Sequence, residues 1–166
     1  LATNTVDATI QAAVVADYRY RDRPFSLAIN PAGTFAYVTI YSNNGQENGT
    51  VSKINLATDT VVARVTVGLS PTRLAIDSAG TFAYVTNAGS NTVSKINLAT
   101  DTVVATIEVG VAPYGIAIDP AGTFAYVADG EAVSKINLAT NTVVASITKP
   151  RSVLLPAGNS FSLAIN

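Results

Sequence analysis

The chain has 166 residues, of which 48 % are hydrophobic and 13 % charged, with a formal net charge of −1 and no Cys, His, Met or Trp. A near-neutral charge excludes the basic footprint that nucleic acid demands, and no apolar run reaches the roughly 20 residues that span a bilayer, so neither nucleic acid nor membrane insertion is expected. Without Cys there is no disulfide or thiol nucleophile, and without His the commonest proton shuttle and metal ligand is missing, so no catalytic residue, metal or cofactor is expected.

The opening segment, Leu1-Ala-Thr-Asn-Thr-Val, returns as Leu56-Ala-Thr-Asp-Thr-Val-Val-Ala, Leu98-Ala-Thr-Asp-Thr-Val-Val-Ala and Leu138-Ala-Thr-Asn-Thr-Val-Val-Ala. A period of roughly 40 residues marks an array in which each unit covers its neighbour's apolar face. The units run over 1–55, 56–97, 98–137 and 138–166. Leu1 lies inside a repeat, which reads as a trimmed precursor or a piece of something longer.

Thr5 to Ile10 is predicted to be the outermost strand of a unit. After it comes an insertion, Ala16-Asp-Tyr-Arg-Tyr-Arg-Asp-Arg23. A loop between an outer and an inner strand lies around the central channel of such arrays, and alternating Tyr and Arg stack on sugars and fork onto carboxylates or phosphates. Tyr18, Tyr20 and Arg21 are therefore candidate ligand-binding residues; the other reading is a strand extension or inter-subunit contact, with Asp17 and Asp22 neutralising the arginines. Phe25-Ser-Leu-Ala-Ile-Asn30 reads as an inner strand. Tyr41 to Thr50 reads as a flexible turn and contains the glycosylation sequon Asn48-Gly-Thr50. Lys53, Lys95 and Lys135 recur at one position of one strand, which predicts a solvated edge that deters unwanted strand pairing. The sharper alternative is a ring that binds a polyanion.

Ser26, Arg73 and Gly115 stand at matching inner-strand positions, with Tyr114 beside the last. Arg73 is expected to project toward the channel and receive an anion, or else to pair with a nearby carboxylate or water. Asp77 and Asp119 are matched by Asn30, and Asp59 and Asp101 by Asn4 and Asn141. A role that Asn fills as well as Asp is turn hydrogen bonding.

The unit from Leu98 shows the strand order most plainly. Thr102 to Val109 is rich in β-branched residues, Tyr114 to Ile118 is a short second strand, and Asp119-Pro-Ala-Gly122 has the chemistry of a tight hairpin. Thr123 to Ala128 returns, and Glu131 to Ile136 completes the set. Four antiparallel strands per unit with no helical period make an all-β chain, a β-propeller of four-stranded antiparallel blades, with about three complete blades and partial terminal blades. The runs TVVATI and YGIAI do not alternate, as expected of blades sandwiched on both faces.

Thr142 to Ile147 is the last outer strand. Beyond it, Phe161-Ser-Leu-Ala-Ile-Asn166 repeats Phe25 to Asn30, which ends the chain on an inner strand. In the alternative register Pro150 to Gly158 is the inner strand with its turn, and Phe161 to Ile165 the second strand. Either way the closing blade lacks a strand.

Tyr84-Val-Thr-Asn87, preceded by Ala79-Gly-Thr-Phe82 and followed by Gly89-Ser-Asn-Thr-Val-Ser94, resembles the YVTN β-propeller repeat of bacterial and archaeal surface-layer and secreted proteins. Tyr37-Val-Thr39 and Tyr126-Val-Ala-Asp129 are further copies, so the resemblance covers nearly the whole 1–166 domain. Lys53, Lys95 and Lys135 depart from it, standing where the family usually has an apolar residue. The resemblance, with the near-perfect repetition, implies a non-catalytic extracellular or cell-surface scaffold for assembly or adhesion. Its broken blade is expected to be completed by self-association or by a covalent continuation. The alternative is a carbohydrate- or small-anion-binding propeller with a glycan or cell-surface partner, its site at the channel mouth near Tyr18, Tyr20, Arg21, Arg73 and Tyr114. Related propellers include lactonases and lyases, for which Asp129 is the acid to test; the scattered acids of this chain do not favour that reading.

Overall fold

The structure, a computed structural model, describes residues 9–10, 23–42, 47–130 and 132–148. Among them are three antiparallel four-stranded sheets and no helix. The first sheet contains β1 (Arg23–Ile29), β2 (Phe35–Tyr41), β3 (Asn48–Asn55) and β4 (Thr60–Leu69). The second contains β5 (Pro71–Ile76), β6 (Phe82–Asn87), β7 (Thr92–Asn97) and β8 (Thr102–Glu108). The third contains β9 (Gly115–Ile118), β10 (Phe124–Asp129), β11 (Ala132–Asn137) and β12 (Thr142–Thr148). Each sheet is a meander paired in chain order, and the sheets stack face to face in a propeller-like arrangement that is not closed. Every sheet ends on the outer strand with which the next sequence unit begins, so sheets and sequence units are offset by one strand. The strands expected at Thr5–Ile10 and beyond Lys149 lie outside the described residues, apart from Thr9 and Ile10.

Short-range chemistry sets the hairpins. The side-chain oxygens of Asn30, Asp77 and Asp119 accept hydrogen bonds from the N–H groups of the residues that reopen each strand, Thr34 and Phe35, Thr81 and Phe82, and Thr123 and Phe124. Gly33, Gly80 and Gly122 sit between them at φ of 67 to 68°, where a Cβ is strained. The turn reading of Asp77 and Asp119 therefore holds. The sequon does not lie in a turn: Asn48 to Thr50 open β3, paired with β4 and β2.

The core lies between the sheets. Tyr37, Val51 and Val65 of the first sheet pack on Ala83, Val85 and Ile96 of the second. Tyr84, Val93 and Ile107 of the second pack in the same way on Ala125, Val127 and Ile136 of the third. A third cluster lies on the opposite face of the first sheet, where Ile10 packs against Ala36, Val38, Ile40 and Ile54. The middle strands of the first two sheets are thus buried on both faces, whereas those of the third are buried on one, with Tyr126 and Val133 half-buried on the other. The outer strands are not buried on both faces: Val62, Val104 and Val144 are exposed, and Val65, Val67 and Ile107 are the buried residues of the repeated valine-rich runs among the described residues. Twisted sheets diverge toward their rims, which leaves one face of each outer strand in solvent.

Candidate functional site

Two constellations stand out, one on the inner strands and one between sheets. On the inner strands, the threonines of the Tyr-Val-Thr segments act as cross-links. Thr39 Oγ1 accepts from the Ser26 N–H at 2.9 Å and donates to the Thr72 carbonyl at 2.9 Å. Thr86 Oγ1 accepts from the Arg73 N–H at 3.0 Å and reaches the Tyr114 carbonyl at 3.1 Å. Each hydroxyl therefore fastens its own inner strand to that of the next sheet. The series stops at Ala128, which faces Gly115 and has no hydroxyl.

This scaffold brings together two of the residues expected at the channel mouth. The Arg73 guanidinium lies 5.4 Å from the centre of the Tyr114 ring and 5.9 Å from that of Phe25, and the two rings meet edge to face at 5.8 Å. Arg73 is exposed, and among the described residues its guanidinium has no hydrogen-bond or carboxylate partner. A planar cation held by two rings keeps its N–H donors available for a planar anion. Tyr18, Tyr20 and Arg21 lie outside the described residues. Phe25 went unnoticed in the sequence; the signal was that it precedes Ser26 as Tyr114 precedes Gly115, so both sit one place before the matched position.

The lysines overturn the expectation of a solvated edge. Lys53 and Lys95 are only 9 % and 8 % exposed. Each ammonium lies over two rings of its own sheet, Phe35 and Tyr37 for Lys53, Phe82 and Tyr84 for Lys95. The Lys53 ammonium donates to the Leu98 carbonyl at 3.0 Å and to both oxygens of Asp101, at 2.9 and 3.1 Å. The Lys95 ammonium donates to the Leu138 carbonyl and to Asn141 Oδ1, both at 3.0 Å. Asp101 and Asn141 occupy the left-handed corner of the receiving turn, at φ of 53 and 55°, which aims their side chains at the incoming lysine. The turn hydrogen bonds expected of them come instead from Asn97 and Asn137, whose Oδ1 atoms accept from the N–H groups of Ala99 and Thr100 and of Ala139 and Thr140, while Asp101 and Asn141 receive a clasp from the preceding sheet.

The clasps and the aromatic bed shift ionisation. Burial, reinforced by the Asp101 charge, pushes the Tyr37 hydroxyl up to about 12, and burial with Asp77 does the same to Tyr84. Burial lowers the Lys95 pKa, with Asp77 pulling the other way. Lys95 meets only the neutral oxygens of Leu138 and Asn141, so no contacting carboxylate offsets its desolvation.

Lys135 shows the same geometry half made. Its ammonium lies 3.8 Å from the Phe124 ring centre and 5.7 Å from that of Tyr126, yet it hydrogen-bonds to no described residue. Asp129 is occupied structurally, accepting from the Gly110 N–H at 3.0 Å and the Ser134 hydroxyl at 2.6 Å. Among the described residues no three acidic side chains gather where they could hold a metal ion.

No family model and no curated protein matches the chain. Solved structures do. Hydrazine synthase from Kuenenia stuttgartiensis is 29 % identical with a TM-score of 0.70, over 82 % of this chain and 39 % of that one. A functionally unknown protein from Desulfotomaculum acetoxidans DSM 771 is 15 % identical with a TM-score of 0.65, over 78 % and 44 % of the two chains. U3-55K is 14 % identical with a TM-score of 0.69, over 79 % and 41 %. The chain therefore spans well under half the length of each, and the latter two similarities concern the fold alone.

Proposed function

We propose that the chain is a non-catalytic β-propeller module of the YVTN-repeat kind, an extracellular or cell-surface scaffold that assembles with further blades, as in a repetitive fibre or surface layer. The observation that carries this reading is the outward face of the third sheet, which no other described sheet covers. Ile147 is 56 % exposed, whereas its repeat counterparts Val65 and Ile107, which lie under the next sheet, are 6 % and 3 % exposed. An unfilled apolar sheet face favours association. The similarity to hydrazine synthase does not alter this proposal, because it extends over 39 % of that chain and this chain offers neither Cys nor His. Sedimentation velocity over a wide concentration range tests the reading: reversible growth in size is expected, and a monomer at every concentration refutes it.

A second reading is favoured by the Phe25–Arg73–Tyr114 cluster, whose free guanidinium suits a small anion or an acidic sugar. Thermal-shift screening of such ligands tests it. A stabilising ligand whose effect is lost in Arg73→Ala supports it, and a screen in which nothing raises Tm sinks it.

A further inference from the structure

We propose that Lys135 is the donor half of a third inter-sheet clasp and that its receiver is the Leu56-Ala-Thr-Asp59 turn of a second copy of this chain. This rests on the assembly reading above and names its contact.

The two complete clasps define what each half needs. The donor is a lysine on the third strand of a sheet, laid across a Phe and a Tyr of the second strand. The receiver is the Leu-Ala-Thr-Asp or Leu-Ala-Thr-Asn turn of the following sheet, which offers the Leu carbonyl and the carboxylate or amide oxygen of its left-handed residue. Lys135 over Phe124 and Tyr126 meets the donor description and has no receiver among the described residues. Leu56 to Asp59 meets the receiver description: Asp59 adopts φ 54°, as Asp101 and Asn141 do, and is exposed with no ion pair to any described residue. A free cation at one end of the stack and a free carboxylate at the other are complementary only head to tail, the arrangement that yields rings or fibres.

The apolar surfaces agree. Tyr126, Val133 and Ile147 of the third sheet correspond to Tyr37, Val51 and Val65, the face that receives Ala83, Val85 and Ile96 in the first interface. Ala36, Val38 and Ile54 are the first sheet's equivalents of those receiving residues. That face is held by Ile10, which occupies in the segment Thr5 to Ile10 the repeat position of Ile147. A docking copy thus brings its Ile147 to the seat that Ile10 fills, and association displaces Ile10.

The test is sedimentation velocity on the full chain with Lys135→Asp and Asp59→Lys, alone and mixed. Each variant alone sets like charges across the contact and is expected to associate at least tenfold more weakly than wild type. An equimolar mixture recreates both attractive pairings and is expected to restore association to within a few-fold. Lys135→Met and Asp59→Asn, which add no repulsion, are expected to weaken association several-fold while keeping the wild-type Tm of the monomer, separating lost docking from misfolding. Wild type that associates with both reversals and both neutral variants unaffected, or a mixture that fails to recover when every chain is folded, overturns this inference and leaves the assembly reading intact. Wild type that never associates overturns both.

Discussion

Replacing Lys53 with Met isolates the contribution of one complete clasp. Met keeps an unbranched apolar side chain but removes the ammonium that lies over the Phe35 and Tyr37 rings and donates to the Leu98 carbonyl and to both oxygens of Asp101. Hydrogen bonds that involve a charge contribute roughly 1.5–3 kcal/mol, and breaking a fully buried pair costs about 3–5 kcal/mol. Asp101 keeps 26 % of its side chain in solvent and can rehydrate, which discounts the upper range. A loss of about 2–3 kcal/mol is therefore expected. With a urea m-value near 2 kcal/mol/M, that moves the unfolding midpoint down by roughly 1–1.5 M. Urea titration followed by far-UV circular dichroism measures it, with Asp101→Asn and the double variant completing a cycle. Coupling of about 1 kcal/mol or more is expected between the two sites. A Lys53→Met midpoint within about 0.2 M of wild type, or additive single effects, refutes the clasp and returns the lysine to the role of a solvated edge charge.

Asn141→Asp supplies Lys95 with the carboxylate that Lys53 already has, so it is expected to stabilise the chain by about 1 kcal/mol, read from the same titration. Thr86→Val removes the hydroxyl that joins the Arg73 N–H to the Tyr114 carbonyl, and a loss of about 1–3 kcal/mol is expected from the orphaned backbone groups. Tyr37 and Tyr84 ionise near 12 in the folded chain instead of 10, so unfolded molecules lose these protons first. Their contribution is complete below pH 10 and falls as pH climbs through 12, by up to about 2–3 kcal/mol per tyrosine, with Lys95 opposing in part because its lowered pKa favours folding as pH rises; urea midpoints between pH 9 and 12 follow the decline. Ile10→Ser weakens the chain's own hold on the first sheet, and self-association about tenfold tighter than wild type is expected in sedimentation velocity.

Strand order and hairpins were legible because their causes are local. Asp119-Pro-Ala-Gly122 closes its turn through its own side chain and its own glycine, and repetition allowed each unit to be checked against the others. The lysines were misread for the opposite reason. What fixes Lys53 is a turn nearly fifty positions away on another sheet, and no pattern within one unit reveals how near that turn comes. The exchange of Asp101 for Asn141 looked like indifference to charge; in space it is two versions of one lysine receptor. The exposed valines of the outer strands were misjudged because divergence of neighbouring sheets is a property of the stack. Of the Phe25–Arg73–Tyr114 cluster, Arg73 and Tyr114 were singled out by inner-strand alignment, whereas Phe25 joins them only when the first sheet packs beside the second.

The most direct test of the account is an experimental structure of the full chain in its associated state, determined at a resolution that places the Lys135 side chain. The expected result has the ammonium about 3 Å from the Leu56 carbonyl and the Asp59 carboxylate of a neighbouring copy, with Ile147 buried against that copy's first sheet. An assembly joined through any other surface, with Lys135 in solvent and Ile147 uncovered, contradicts it.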